Sequence, residues 1–124
     1  MKNSEFGDLV FNTGWKAKAE IKLFGTNYNI VVKAKAYFEK DGITREQEIA
    51  FSKFKKEKTE NLNNAEILLN KFSNKAATRF IPKTLLFERD GGYALLLDDN
   101  EDEDGGIAVR FAPQMEILSQ DEYL

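Results

Sequence analysis

The longest stretch with helical spacing, residues 43–76, constrains the fold more than any other part of the sequence. It opens on Thr44-x-x-Gln47, a capping box in which each side chain accepts a hydrogen bond from the other residue's backbone N–H. Apolar residues then recur at spacings of three, four and seven, which places them on one face of a helix. These residues are Ala50, Phe51, Phe54, Ala65, Leu68, Leu69 and Phe72. We therefore predict that this stripe faces the core.

A polar interval interrupts the stripe. Residues 55–60 read Lys-Lys-Glu-Lys-Thr-Glu, and Lys58 falls on the otherwise apolar face. The pattern predicts two helices, at about 44–57 and about 59–75, or one kinked helix, with Thr59 as a candidate cap for the second. Pro82 cannot continue a helix interior, so we expect the helical part to end before it.

Alternating apolar and polar residues before the helical stretch predict strands. Residues 5–12 form a first predicted strand, and Trp15–Phe24 and Tyr28–Glu39 form a hairpin around a three-residue turn, 25–27. The outer face of this hairpin carries several lysines. They are Lys16, Lys18, Lys22, Lys33 and Lys35. We interpret this face as a solvated sheet surface; a nucleic-acid groove is the alternative, disfavoured by the interleaved acidic residues and the net charge of −3.

Four more strands are predicted after the helices. They are Lys83–Glu88, Tyr93–Leu97, Ile107–Ala112 and Met115–Leu118, followed by a tail at 119–124. Arg89-Asp90-Gly91-Gly92 is a tight-hairpin signal, because glycine adopts positive φ freely. We therefore predict a single α+β domain spanning residues 1–124. Its fold is an antiparallel meander of about seven strands with two helices inserted between strands 3 and 4.

The absence of two residue types limits the chemistry. The chain has no cysteine and no histidine, which excludes a thiol nucleophile, thiolate or imidazole metal ligands and a Ser-His-Asp triad. The first residues lack the apolar run of a signal peptide, and no stretch approaches the roughly 20 apolar residues of a membrane span. We expect a cytoplasmic protein that is not an enzyme and has no cofactor, catalytic residue or metal ligand.

Residues 98–104, hereafter the acidic segment, have the most unusual composition in the chain. Six of the seven residues are acidic, and Asn100 is the seventh. The acidic residues are Asp98, Asp99, Glu101, Asp102, Glu103 and Asp104. Residues 98–124 carry nine acidic residues and one arginine, a net charge of −8, whereas residues 1–97 carry 17 basic and 12 acidic residues, a net charge of +5. The modest total of −3 therefore hides a polarised chain.

The acidic segment has four interpretations. Asn100-x-Asp102-x-Asp104-Gly105 matches the first half of a calcium-binding loop, but the twelfth position is Phe111 instead of Glu and the flanks are predicted strands. Paired carboxylates for acid–base catalysis would need one desolvated member, which a solvated run does not offer. The segment is otherwise a solvated loop that protects a sheet edge, or a surface that attracts a basic protein partner.

Several features occur in an order that resembles one family. They are Phe6-Gly7, Gly14-Trp15 before an alternating strand, the Ile43-Thr44-x-x-Gln47 helix start, the Asp90-Gly91 hairpin, and Asp104-Gly105-x-Ile107-Ala108-Val109 after the acidic segment. Together they resemble a group of small bacterial domains of unknown function, some of which are encoded beside polymorphic toxins and treated as immunity proteins. The resemblance implies a Trp in the acidic loop, as Trp-Asp-x-Glu, where this chain has Asp99-Asn100-Glu101-Asp102, so no role of that Trp is carried over to this chain.

The resemblance implies a non-enzymatic module that binds and neutralises a cognate toxin, with a basic nuclease as the expected partner. The six carboxylates of the acidic segment would imitate phosphates in a basic groove, with Arg110 and Glu116 at the rim. We expect no nucleic-acid or membrane partner. The alternative is a regulatory domain that responds to calcium or a small ligand, and a hydrolase is a third option.

Overall fold

The computed structural model describes all 124 residues and contains two sheets and four α-helices. A small sheet pairs β1 (Lys2–Asn3) with β2 (Gly7–Asp8). The main sheet contains β3 (Val10–Phe11), β4 (Trp15–Leu23), β5 (Thr26–Ala34), β6 (Phe80–Phe87), β7 (Tyr93–Asp99), β8 (Asp102–Ala112) and β9 (Glu116–Ser119). The helices are α1 (Arg45–Lys56), α2 (Lys58–Phe72), α3 (Ala76–Arg79) and α4 (Gln120–Tyr123). The α+β class is confirmed.

The main sheet is mixed, so the predicted pure antiparallel meander is wrong. Its strands follow chain order from β3 to β9, and all neighbours are antiparallel except β5 and β6, which are parallel. Parallel neighbours need a long crossover between them, because the chain must return to the starting end of the sheet. Helices α1 to α3 provide this crossover.

Helix placement also differs from the prediction. The crossover follows the fifth strand of the chain instead of the third, and two short helices, α3 and α4, join the two predicted ones. The count changes by two because β1 was not predicted and because residues 5–12 do not form one strand. They divide into β2 and β3, while Phe6 and Leu9 turn into the core. Phe6 stacks on Phe51 with ring centroids 4.6 Å apart.

The start of α1 is as predicted. The Gln47 N–H donates to the Thr44 hydroxyl (3.1 Å), and the Thr44 N–H donates to the Gln47 side-chain oxygen (2.9 Å). Thr59 is not a cap, because α2 already begins at Lys58 and no side chain caps it. Of the three phenylalanines predicted for the core stripe, Phe51 and Phe54 are buried, at 8% and 3% exposure.

Phe72 does not lie in the core, and its prediction as a core residue is wrong. Its side chain is 52% exposed at the last residue of α2. One side of the ring contacts Phe80, with centroids 5.8 Å apart, and the guanidinium of Arg79 lies 5.8 Å from the ring centroid. Helical spacing aligned Phe72 with the stripe, but only half of the ring is covered.

The β4–β5 hairpin is tighter than the predicted three-residue turn. Phe24 and Gly25 both have positive φ (51° and 76°), and Leu23 pairs directly with Thr26, which is the geometry of a two-residue turn. The Phe24 N–H donates to the carboxylate of Glu66 in α2, which holds a non-glycine residue in this conformation.

Other strand boundaries shift by several residues. Strand β5 ends five residues before the predicted end, and a short 3-10 turn, Glu39–Asp41, follows it. Strands β6 and β8 begin three and five residues before the predicted starts. The longer β8 matters most for function, since it brings half of the acidic segment into the sheet. None of the helices has the length and apolar character that crossing a membrane requires.

The core lies between the helices and one face of the main sheet. In the register, Trp15 faces Ala34 and Val32 faces Leu85, so inward residues of neighbouring strands line up on the same face. Phe87 stacks on Tyr93 at 5.0 Å on that face. The outer face carries the lysines of β4 and β5, while α4 packs against β8 and β9.

Candidate functional site

The acidic segment forms the tip of the β7–β8 hairpin, so it is not the free loop that the composition predicted. Strand β7 continues to Asp99, β8 begins at Asp102, and these two residues pair. Asn100 and Glu101 form the turn between them. Asp98 pairs with Gly106, so residues 103–105 have no partner in β7 and bulge out of the ladder.

Asp99 is a structural member of this tip. Its carboxylate accepts two hydrogen bonds from Arg79, Nε to Oδ1 and Nη2 to Oδ2, each 2.9 Å long. Only 7% of Asp99 is exposed. The hydrogen bonds from Arg79 lower the pKa of Asp99 below its ordinary value, against the opposite effect of burial. A carboxylate bound in this way stays ionised and anchors the hairpin to the end of the crossover.

Two neighbours complete this anchor. The carboxylate of Glu101 approaches Arg79 Nε at 2.8 Å, and its N–H donates to Asp99 Oδ1 at 2.9 Å. Asn100 donates from its backbone to the Arg79 carbonyl (2.8 Å) and from its side chain to the Thr78 carbonyl (2.9 Å). The last carbonyls of a helix lack intrahelical donors, so α3 offers these acceptors naturally. The tip is therefore fixed by side-chain and backbone contacts together.

The remaining carboxylates of the acidic segment point into solvent. Asp98, Asp102, Glu103 and Asp104 are all exposed, and none of them forms a salt bridge. Asp102 folds back over Gly105, where a Cβ would meet its Oδ2 at 2.6 Å. The structure thus divides the six predicted site residues into two that anchor the hairpin and four that are exposed and form no salt bridge.

The predicted rim residues lie elsewhere. Arg110 and Glu116 are directly opposite each other in β8 and β9, and Nη2 of the arginine lies 2.6 Å from Oε2 of the glutamate. Arg110 follows Gly106 by four residues, about 13 Å along the strand. It also donates from Nε to the Gln114 carbonyl at 2.9 Å. This pair closes the β8–β9 hairpin and does not border the tip.

The geometry does not resemble a calcium loop or a catalytic dyad. Nowhere in the chain do three or more acidic side chains converge in a way that could hold a metal ion. The Asn100 amide is directed to the Thr78 carbonyl, and the flanks are strands instead of helices. Asp99 is the one buried carboxylate, and its pKa is lowered, whereas a general acid needs a raised value.

Sequence reasoning missed Arg79 as a functional residue. It lies at the end of the helical stretch, 20 residues before Asp99, and no short motif links the two. The available signal was the surplus of negative charge in the acidic segment, which favours contact with a basic residue elsewhere in the fold. A local pattern could not say which basic residue it would be.

Comparisons with known proteins identify no relative. The chain matches no family model, and no curated protein or solved structure matches it significantly. The resemblance to the immunity-protein group thus depends on the quoted residues, and the function must be argued from the geometry.

Proposed function

We propose that this chain is a non-enzymatic protein-binding module, an immunity protein that neutralises a cognate bacterial toxin in the cytoplasm through its acidic segment. The observation that carries the proposal is a set of four exposed carboxylates, unpaired within the chain, on a hairpin tip. They are Asp98, Asp102, Glu103 and Asp104. Asp99 and Glu101 contribute by fixing the tip through Arg79.

The electrostatics favour a basic partner. Four like charges within seven residues create a concentrated negative potential, which speeds the encounter with a positive surface and repels acidic proteins. A nuclease toxin presents such a surface, because its substrate groove must attract phosphates. Carboxylates spaced along a hairpin can occupy that groove in their place.

The anchoring of the tip supports a tight complex. A complex is weaker when binding must first order a flexible segment, because the lost conformational entropy reduces the binding free energy. Here the ion pair between Arg79 and Asp99 and the two hydrogen bonds from Asn100 already hold the turn. The exposed carboxylates are therefore presented on a pre-organised frame.

The experiment uses the product of the adjacent gene. It tests whether this chain co-purifies with that protein and whether it restores growth of cells that produce it. The test variant combines Asp98→Asn, Asp102→Asn, Glu103→Gln and Asp104→Asn. We expect it to fold normally, to associate more slowly than wild type and to protect less. The wild-type association rate should fall with added salt, whereas that of the variant should change little.

A matched control separates local from overall charge. Asp8→Asn, Glu39→Gln, Glu60→Gln and Asp121→Asn together change the net charge by the same amount, and all four residues are exposed and form no salt bridge. This control should bind and protect like wild type. The proposal fails if wild type neither binds the toxin nor protects the cell. It also fails if the control loses as much binding and protection as the test variant.

A further inference from the structure

A cleft of about 490 Å³ lies at the end of the main sheet opposite the acidic segment. It opens where β5 ends and where the β6–β7 turn begins, roughly 20 Å away along β7. Its lining includes Lys33, Lys35 and Tyr37 from one side and Glu88, Arg89 and Asp90 from the other. Its volume falls within the range of about 300–1,000 Å³ of small-molecule sites.

Two side chains fix the backbone around this cleft. Gln47 is fully buried, and its Nε2 donates to the carbonyls of Lys35 (3.0 Å) and Phe87 (3.2 Å). Arg89 donates from Nη1 to the carbonyls of Lys35 (3.1 Å) and Gly42 (2.7 Å), and from Nη2 to that of Asp41 (3.2 Å). Residues 35–42 are therefore held at both ends.

This fixed segment exposes two consecutive aromatic side chains. Tyr37 is 91% exposed and Phe38 is 63% exposed. Single exposed apolar residues are ordinary, but a ring held out from a rigid segment at the mouth of a cleft offers a stacking surface. Of the two, Tyr37 lines the cleft.

The cations of the cleft are only partly compensated. Lys35 pairs with Glu88 at 3.0 Å, whereas Asp90 accepts only the neutral N–H of Gly92 at 3.0 Å and keeps its negative charge on the side of the cleft across from Lys33. Lys33 has no salt bridge, and another lysine, Lys16, lies directly opposite it in the β4–β5 register. Like charges in this position repel each other, and an anion between them would relieve the repulsion.

The position of the Lys33 side chain is also defined. Its stem lies against Gly14, where a Cβ would meet Lys33 Cε at 2.7 Å, and Gly14 has a φ of +125° that disfavours other residues. Burial, and then the charges of Lys16 and Lys35, lower the pKa of Lys33. A negative charge near this ammonium would raise its pKa instead.

We propose that the cleft binds a nucleoside monophosphate, whose phosphate supplies the negative charge and whose base supplies an aromatic ring. The phosphate contacts the ammonium of Lys33 with added attraction from Lys16, and the ring stacks on Tyr37. This site is separate from the acidic segment and does not depend on the toxin-binding role.

The test is isothermal titration calorimetry of the full chain at low salt with AMP, adenosine and inorganic phosphate. AMP should bind at least tenfold more tightly than either fragment. Tyr37→Ala should weaken AMP and adenosine binding about tenfold and leave phosphate binding unchanged, because stacking is lost. Lys33→Gln should weaken AMP and phosphate binding about tenfold and leave adenosine binding unchanged.

The matched control is Lys22→Gln, on the same outer face but at the far end of β4, opposite Asn27. It should bind AMP like wild type, and circular dichroism should show all variants folded. The proposal is overturned if wild type shows no saturable AMP binding up to about 10 mM. It is equally overturned if Lys22→Gln weakens binding as much as Lys33→Gln, or if neither Tyr37→Ala nor Lys33→Gln has an effect.

Discussion

Arg79 donates two parallel hydrogen bonds to the carboxylate of Asp99, each 2.9 Å long, and thereby joins the end of the helical crossover to the tip of the β7–β8 hairpin. This bidentate geometry is the strongest form of the arginine–carboxylate contact. Arg79 also pairs with Glu101 at 2.8 Å, so two members of the acidic segment stabilise the fold while the other four carboxylates are exposed.

The first prediction concerns this pair. Asp99→Asn should lower the free energy of unfolding by about 1–2 kcal/mol, because an amide N–H₂ group replaces one acceptor oxygen and the charge is lost. Urea denaturation at pH 7 measures the change. Asp98→Asn is the control. The carboxylate of Asp98 is exposed and unpaired, so the free energy of unfolding should stay within about 0.5 kcal/mol of wild type. Equal losses in the two variants would contradict a structural role for Asp99.

The same pair gives a pH dependence. Since the Arg79 hydrogen bonds lower the pKa of Asp99 in the folded chain, the unfolded chain binds a proton there at a higher pH than the folded one. Stability from this group is complete above the ordinary Asp pKa of about 3.9 and is lost as the pH falls through the lowered value. The difference between wild type and Asp99→Asn should therefore shrink below about pH 4. A constant difference down to pH 2 would contradict this.

A second prediction separates folding from binding in the acidic segment. Replacing Asp98, Asp102, Glu103 and Asp104 by their amides should leave the free energy of unfolding within about 0.5 kcal/mol of wild type or raise it slightly, because mutual repulsion is removed. Adding Asp99→Asn to this set should then clearly lower the free energy of unfolding. A large loss from the four exposed positions alone would show that they have structural partners.

A third prediction compares two phenylalanines of similar helical phase. Phe54→Ala should cost about 3–5 kcal/mol, because the ring is buried among other aromatics. Phe72→Ala should cost only about 1 kcal/mol, since half of that ring is already in water and its main contact is Phe80. Urea denaturation of both variants measures the two losses in the free energy of unfolding. Similar losses would refute the assignment of Phe72 to the surface.

A fourth prediction concerns the buried amide of Gln47. Gln47→Leu should cost about 2 kcal/mol, because it removes both the capping box and the hydrogen bonds to the carbonyls of Lys35 and Phe87. Thr44→Ala is the comparison: it removes the other half of the capping box and the hydrogen bond from the Thr44 hydroxyl to the Arg89 carbonyl (2.8 Å), and should cost about 1 kcal/mol. Equal losses would contradict a larger contribution from the two buried hydrogen bonds of the Gln47 amide than from the single one of the Thr44 hydroxyl.

A fifth prediction concerns calcium. We expect about 1 mM Ca²⁺ to produce no larger rise in melting temperature than NaCl at equal ionic strength, because Asn100 and Asp99 already bind Thr78 and Arg79. Thermal scans with the two salts measure this. A calcium-specific rise in melting temperature that disappears in the double variant Asp102→Asn, Asp104→Asn would instead support a calcium site at residues 100–105.

Local interactions explain what could be predicted from the sequence. The capping box at Thr44 and Gln47, the alternation in Trp15–Leu23 and the glycine turn before Tyr93 all arise between residues close in the chain. Their hydrogen bonds and side-chain spacing depend little on the rest of the fold. The α+β class follows from such local rules.

Long-range contacts explain what could not. The parallel pairing of β5 with β6 depends on where the crossover returns the chain, and the same elements are compatible with an antiparallel neighbour. Burial of Phe54 and exposure of Phe72 depend on which other elements cover each ring. Periodicity identifies a face of a helix but not how far along the helix that face stays covered.

The two candidate sites show the same division. The concentration of negative charge is visible in the sequence, because charge is a property of each residue type. The pairing of Arg79 with Asp99, and the meeting of Lys33 and Tyr37 with residues 88–90 in one cleft, arise from the tertiary structure. The physical reason is distance along the chain: such partners are separated by 20 residues or more and meet only after the sheet has formed.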